Sequence, residues 1–202
     1  MLRHDWFAAG SWVVLVAWLA ASGLALGYFE FRDLRPFDAV AAQPFGGTDA
    51  ALAEQWFRST FGSVASLEAP PKITFVHLYN PECRCNAFTE PHLQRLMERY
   101  QSRGVRFVAA LGPRSTGVTH VPFGLPSVRS TGGMLGAAGI RTAPAVLMFD
   151  AAGRLIYYGP YSDSAWCGSP GALVDRALDR ALSGSSVMTE IPASRGCFCE
   201  WT

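Results

Sequence analysis

Ile73-Thr-Phe-Val-His-Leu-Tyr79 runs through Asn80-Pro-Glu-Cys83-Arg-Cys85 into Asn86-Ala-Phe-Thr-Glu-Pro-His-Leu-Gln-Arg-Leu96. The first stretch is a short apolar run of strand length. The last has helical spacing, so the pair predicts a buried strand feeding a helix. Cysteines delivered to the first turn of a helix sit where the macrodipole favours thiolate over thiol. That is the placement of a redox thiol. The spacing is unusual, because a disulfide within Cys-x-Cys closes a very short loop and is easily strained and reduced.

The chain has 202 residues, half of them hydrophobic, and a formal net charge of +1. That is room for one domain and a flanking element, with enough apolar material for a core. Lys72 is the only lysine, and no run of like charge is present. Composition therefore predicts no nucleic-acid partner. Trp6 to Phe29 carry no charged side chain, a length that can cross a bilayer core of about 30 Å as a helix. Arg3 before it and Glu30, Arg32, Asp33 and Arg35 after it leave the N-terminus in the cytoplasm by the positive-inside bias. A signal peptide has an apolar region of only about 7–15 residues. Residues 1–31 are thus expected to be a transmembrane anchor, with a cleaved signal as the alternative; either exports the domain. The expected location is a bacterial-type inner membrane, single-pass, with the domain in the periplasm.

Export bears on the five cysteines, Cys83, Cys85, Cys167, Cys197 and Cys199. In an oxidising compartment they can pair, and an odd count leaves one over unless the chain dimerises through it.

Residues 32–48 read as a linker rich in proline and glycine. Thr48 can cap a helix to about Val64, with Ala51, Leu52, Trp56, Phe57 and Phe61 on its apolar side. Pro70-Pro71 precedes the strand 73–79. The following helix, about 87–102, is expected to kink or break near Pro91 and to end at Gly104. A second buried strand covers 105–111. Residues 113–130 read as an irregular loop, and a short helix near 131–138 leads to a strand at 145–149. Ala152-Gly153 turns it into 155–158 as a hairpin. The last helix is about 170–183, and the tail 184–202 is expected to hold no regular element. Two buried strands joined by a helix imply a parallel crossover. The fold class is α/β, a mixed sheet with helices on both faces.

This order, with cysteines after the first strand, resembles the thioredoxin superfamily across residues 70–183. Gly139-Ile-Arg-Thr-Ala-Pro144-Ala-Val-Leu-Met-Phe149 resembles the segment in which a cis-proline opens a strand opposite the active cysteines. Leu78-Tyr-Asn-Pro-Glu-Cys83-Arg-Cys85-Asn86, with Pro91-His-Leu-Gln-Arg-Leu96, resembles the active-site helix of membrane-anchored thioredoxin-like oxidoreductases. The Cys-x-Cys-Asn version with a Cys-x-Cys tail is most similar to an uncharacterised thioredoxin-like family. The resemblance makes 49–183 the thioredoxin-like domain and 184–202 a cysteine-bearing tail. It implies that Cys83 is the nucleophile and that Asn86 stands where a resolving cysteine would be. Cys85 is then the nearest candidate to resolve Cys83, and Cys167 the next. His77 matches a buried acid beneath the active site. It reads either as a proton acceptor or as a core histidine bonded to its surroundings. His92 and His120 read as surface residues.

Three functions follow. The first is a thiol–disulfide oxidoreductase with Cys83, Cys85, Cys167, Pro144 and His77 at its site, no cofactor, and protein thiols or disulfides as partners. In that reading the tail Cys-x-Cys relays electrons by exchange. The roughly 15 residues between the last helix and Cys197 span up to about 50 Å if extended, so the tail can reach back. The second is a soft-metal chaperone that uses Cys83, Cys85, Cys197 and Cys199 as thiolate ligands. The third is a redox-inert binding module with Cys83 paired permanently to Cys85 or Cys167.

Overall fold

A computed structural model describes residues 4–31, 34–37, 48–62, 70–113, 115, 121–130, 133–162, 172–185 and 194–201. Cys167 and His120 lie outside them. The chain divides into two units, Met1–Leu34 and Arg35–Thr202. The first unit is helix α1, His4–Phe31. Its stretch Ser11–Phe29 has a mean hydropathy of 1.8 and is long enough to cross a membrane.

In the second unit α2 (Thr48–Phe61) precedes β1 (Ile73–Tyr79), α3 (Asn86–Tyr100), β2 (Val105–Leu111) and β3 (Ser127–Arg129). Then come α4 (Met134–Ala137), β4 (Thr142–Ala143), β5 (Ala145–Asp150), β6 (Leu155–Gly159) and α5 (Leu173–Leu182). The tail adds β7 (Arg195–Cys197) and β8 (Cys199–Glu200). Five strands form one sheet in the order β3-β2-β1-β5-β6. β1 pairs in parallel with β2, and β2 with β3. β5 runs antiparallel to both β1 and β6.

Alternation along the strands gives each face its own core. Val76, Leu78, Val108, Leu147 and Phe149 pack with Trp56 and Phe61 of α2. Phe75, Phe107, Val146 and Met148 pack with Leu93 and Leu96 of α3 and Val174 and Leu178 of α5. The result is a mixed sheet with helices on both faces, consistent with a thioredoxin fold.

Several local expectations need correction. Helix α3 runs uninterrupted through Pro91. The proline is near the N-terminal end and removes one hydrogen bond, the one Ala87 O would have accepted. Gly104, at φ 91°, ends the following 3₁₀ turn in the left-handed region, a conformation glycine adopts freely. The segment expected to be an irregular loop contains β3, a three-residue edge strand. In α2, Ala51 is exposed and Ala53 fills the core position instead. His92 is buried, not on the surface; its Nε2 lies 2.8 Å from Asp175 Oδ2 and ties α3 to α5.

The tail is the largest departure. Strand β8 pairs antiparallel with β4, Thr142 opposite Glu200 and Ala143 opposite Cys199. Phe198 and Trp201 join the core on the α2 face. Phe37 packs edge-on against Phe198 at 5.2 Å, and its N–H donates to Ser194 O at 2.8 Å.

Candidate redox site

Strand β1 ends at Tyr79, and a short loop carries the chain into α3. Asn80 organises that loop. Its Oδ1 accepts from Glu82 N–H (3.0 Å), and its backbone carbonyl accepts from Asn86 Nδ2 (2.7 Å). Cys83 N–H donates to the same carbonyl at 3.0 Å. Asn86 therefore braces the cysteine loop. The N–H groups of Asn86, Ala87 and Phe88 donate to the carbonyls of Cys83, Arg84 and Cys85. The first amides of α3 thus close the turn, while the positive end of the helix dipole still faces the cysteines.

Neither Cys-x-Cys unit closes on itself. Cys83 is bonded to Cys199, and Cys85 to Cys197, with Cα separations of 5.8 and 5.5 Å. Residues two apart on an extended strand face the same side, so Cys197 and Cys199 both meet α3 while Phe198 turns into the core. Cys83, Cys85 and Cys197 are buried and Cys199 is half-buried, while Arg84 between the helix-side pair is exposed. The two bridges touch, with Cys85 Sγ 4.0 Å from Cys199 Sγ. Cys83 Sγ is 3.7 Å from Ala143 O, and the Ala143–Pro144 peptide bond is cis.

The tail strand is fixed on both sides of Cys199. Asn80 Nδ2 donates to Glu200 O at 2.8 Å. Trp201 N–H donates to Arg141 O at 2.8 Å, and its Nε1 to Ala110 O at 3.3 Å. Gly112 leaves room for the chain end, since a Cβ there would overlap the Trp201 carbonyl.

The sequence expectation for Cys83 names Cys85 or Cys167 as its partner; the structure pairs it with Cys199. Cys85, Pro144 and both tail cysteines are brought to Cys83. His77 sits in the middle of β1, fully buried, with Nδ1 2.8 Å from Tyr161 Oη. Its Nε2 has no hydrogen-bond partner among the described residues. Burial pulls its pKa from 6.5 down to about 3, so the imidazole is neutral near pH 7. Its surroundings are those of the core-histidine alternative. Tyr79, at the end of the same strand, has its pKa raised by burial and then by Glu90.

Asn80, Phe198 and Trp201 are site residues that sequence reasoning missed, and Asn86, read as standing in a cysteine's place, has a bracing role it did not foresee. The signal available was the tail's own composition: an aromatic between two cysteines and another two residues later, in an otherwise polar segment.

Residues 53–201 match a family described as "Domain of unknown function (DUF6436)", a span that includes both tail cysteines. No curated protein matches the chain. Among solved structures, a hypothetical protein from Sinorhizobium meliloti 1021 is 16% identical with a TM-score of 0.52, covering 65% of this chain and 80% of its own. An uncharacterized conserved protein from Geobacillus kaustophilus is 19% identical with a TM-score of 0.51, covering 65% and 77%. A thioredoxin-like protein in the oxidized form is 19% identical with a TM-score of 0.45, covering 60% and 84%. At these identities the first two likenesses are of fold alone.

Proposed function

The chain belongs to the DUF6436 family, and we propose that it is a membrane-anchored, extracytoplasmic thiol–disulfide oxidoreductase with Cys83 as nucleophile and Cys199 as its resolving partner. The observation that carries this reading is the Cys83–Cys199 bridge across the start of α3, beside the Ala143 carbonyl. In the reduced protein the Cys83 thiolate attacks a substrate disulfide, forming a mixed disulfide and expelling one substrate thiolate. Cys199 then attacks Cys83 Sγ, re-forming the bridge and releasing the second substrate thiol. One substrate disulfide is reduced, and one protein dithiol is oxidised. Cys199 fits the resolving role because its strand is pinned on both sides, which replaces the proximity that Cys-x-Cys lacks.

The test is turnover of a protein disulfide by the full chain, driven by a dithiol reductant. Cys83→Ser abolishes turnover, and Cys199→Ser stops it at an accumulated mixed disulfide on Cys83. Turnover that survives Cys83→Ser removes the proposal. Bridges that resist strong dithiols support the inert-module reading instead.

A soft-metal reading is supported by one observation: the Sγ atoms of Cys83, Cys85 and Cys199 all lie within 4.8 Å of one another. Full reduction would present a cluster of thiols of the kind that selects Cu(I) or zinc. Stoichiometric Cu(I) binding by the reduced full chain, lost in Cys83→Ser/Cys85→Ser, is the expected result of that reading.

A further inference from the structure

Cys199 Sγ is bonded to Cys83 and stands 4.0 Å from Cys85 Sγ, so one tail sulfur faces both helix-side sulfurs. A disulfide bond is about 2.05 Å long. The non-bonded pair therefore needs only about 2 Å of travel to bond, within reach of side-chain rotation on a strand that stays paired. We infer that the two bridges form an exchange unit. Its two-electron-reduced form carries a new Cys85–Cys199 bridge and leaves Cys83 and Cys197 as thiols. This inference rests on the oxidoreductase reading and deepens it: Cys85 sets Cys83 free while the tail stays covalently held, and attack of Cys197 on Cys85 Sγ returns Cys199 as the thiolate that resolves Cys83.

The chemistry balances by either route. A dithiol reductant donates two electrons and two protons to one bridge and leaves as its own disulfide. If it reduces Cys83–Cys199, the Cys199 thiolate attacks Cys85 Sγ. The Cys85–Cys197 bond breaks, and Cys197 leaves as a thiolate and takes up the proton that Cys199 lost. If it reduces Cys85–Cys197, the Cys85 thiolate attacks Cys199 Sγ. The Cys83–Cys199 bond breaks, and Cys83 leaves and takes up the proton from Cys85. Both routes end at the same species.

Two features favour that species over the product of reducing Cys85–Cys197 alone. Cys85 is wholly buried, a setting that disfavours a thiolate, so it is better kept in a bridge. Cys83 when freed finds Ala143 O 3.7 Å from its sulfur, an acceptor for its S–H. Cys199 is the least buried of the four and is the sulfur an external thiol reaches first.

The experiment uses the full chain in detergent. The oxidised protein is mapped, treated with one equivalent of dithiothreitol, quenched in acid, alkylated, and mapped again by mass spectrometry. The starting map is Cys83–Cys199 and Cys85–Cys197. The two-electron product shows alkylated Cys83 and Cys197 and a Cys85–Cys199 cross-link. In Cys85→Ser the same treatment leaves no bridge to the tail, and a protease then cleaves the tail from the chain faster than in the parent. A different starting map overturns the inference. So does a product that keeps either original bridge, or a mixture of only fully oxidised and fully reduced chains. Any of these, with turnover still dependent on Cys83, leaves the oxidoreductase reading standing. A protein that accepts no electrons from the dithiol refutes both.

Discussion

His77 is fully buried in the core, its ring bonded to Tyr161. Its folded pKa of about 3 is below the unfolded value of 6.5. The unfolded chain therefore binds the proton first, and stability falls as pH drops from about 6.5 toward 3. Above that window the penalty is absent; below it, the loss is complete. At 1.36 kcal/mol per pKa unit the limit is on the order of 5 kcal/mol. His77→Gln is expected to flatten the decline between pH 6 and 4 in chemical denaturation of the oxidised protein. An unchanged pH slope would show that the acid sensitivity comes from other groups. The sequence placed His77 in a buried strand correctly. It could not choose between proton acceptor and core residue, because that choice depends on Tyr161, which is 84 positions away.

The tail is the element whose structure was least legible. Strands β1 and β2 announce themselves by largely apolar runs between prolines and glycines, and their observed limits match the reading residue for residue. Strand β3 is only Ser-Val-Arg, half-exposed at the sheet edge, so it leaves no periodic trace. β8 exists because Thr142–Ala143 lies beside it, a pairing no local pattern encodes. Cysteine connectivity is likewise silent in sequence, since five cysteines with one left over allow about fifteen pairings, three for each choice of the unpaired one. The pairing has an energetic signature. The first bridge to form closes a loop of 116 residues, worth roughly 5 kcal/mol by chain entropy. With that loop closed, the second bridge closes a ring of only about six residues, worth roughly 2 kcal/mol. Loss of either bridge alone, in Cys83→Ser/Cys199→Ser or Cys85→Ser/Cys197→Ser, is expected to cost about 2 kcal/mol, because the other still closes the long loop. Loss of both costs about 7 kcal/mol, well above the sum of the two single losses. Equilibrium denaturation of the three variants checks this. Additive losses would mean that the bridges close independent loops, contrary to the observed connectivity.

For the molecule as a whole, the proposed function ties the bridges to helix α1. Disulfides persist in exported compartments and are rare in the reducing cytosol. In the proposed exported reading, both bridges, and with them the docking of the tail, form once α1 has taken the domain across a membrane. The stretch Ser11–Phe29 has 19 residues, about 28 Å at helical rise, which matches a hydrocarbon core of about 30 Å. If α1 is a retained anchor, the full chain stays in the membrane pellet after an alkaline carbonate wash. It then runs as a bridged species on a non-reducing gel. A cleaved signal instead gives a shorter, soluble chain that is still bridged. A charge in mid-helix separates export from anchoring: Leu19→Arg costs about 2.5–3.5 kcal/mol of insertion free energy. Its expected effect is to retain a fraction of chains in the cytoplasm, where the four bridging cysteines become alkylatable without reductant. A Leu19→Arg chain that remains fully bridged would show that oxidation does not require passage through α1. Export through α1 would then not be what oxidises the four cysteines.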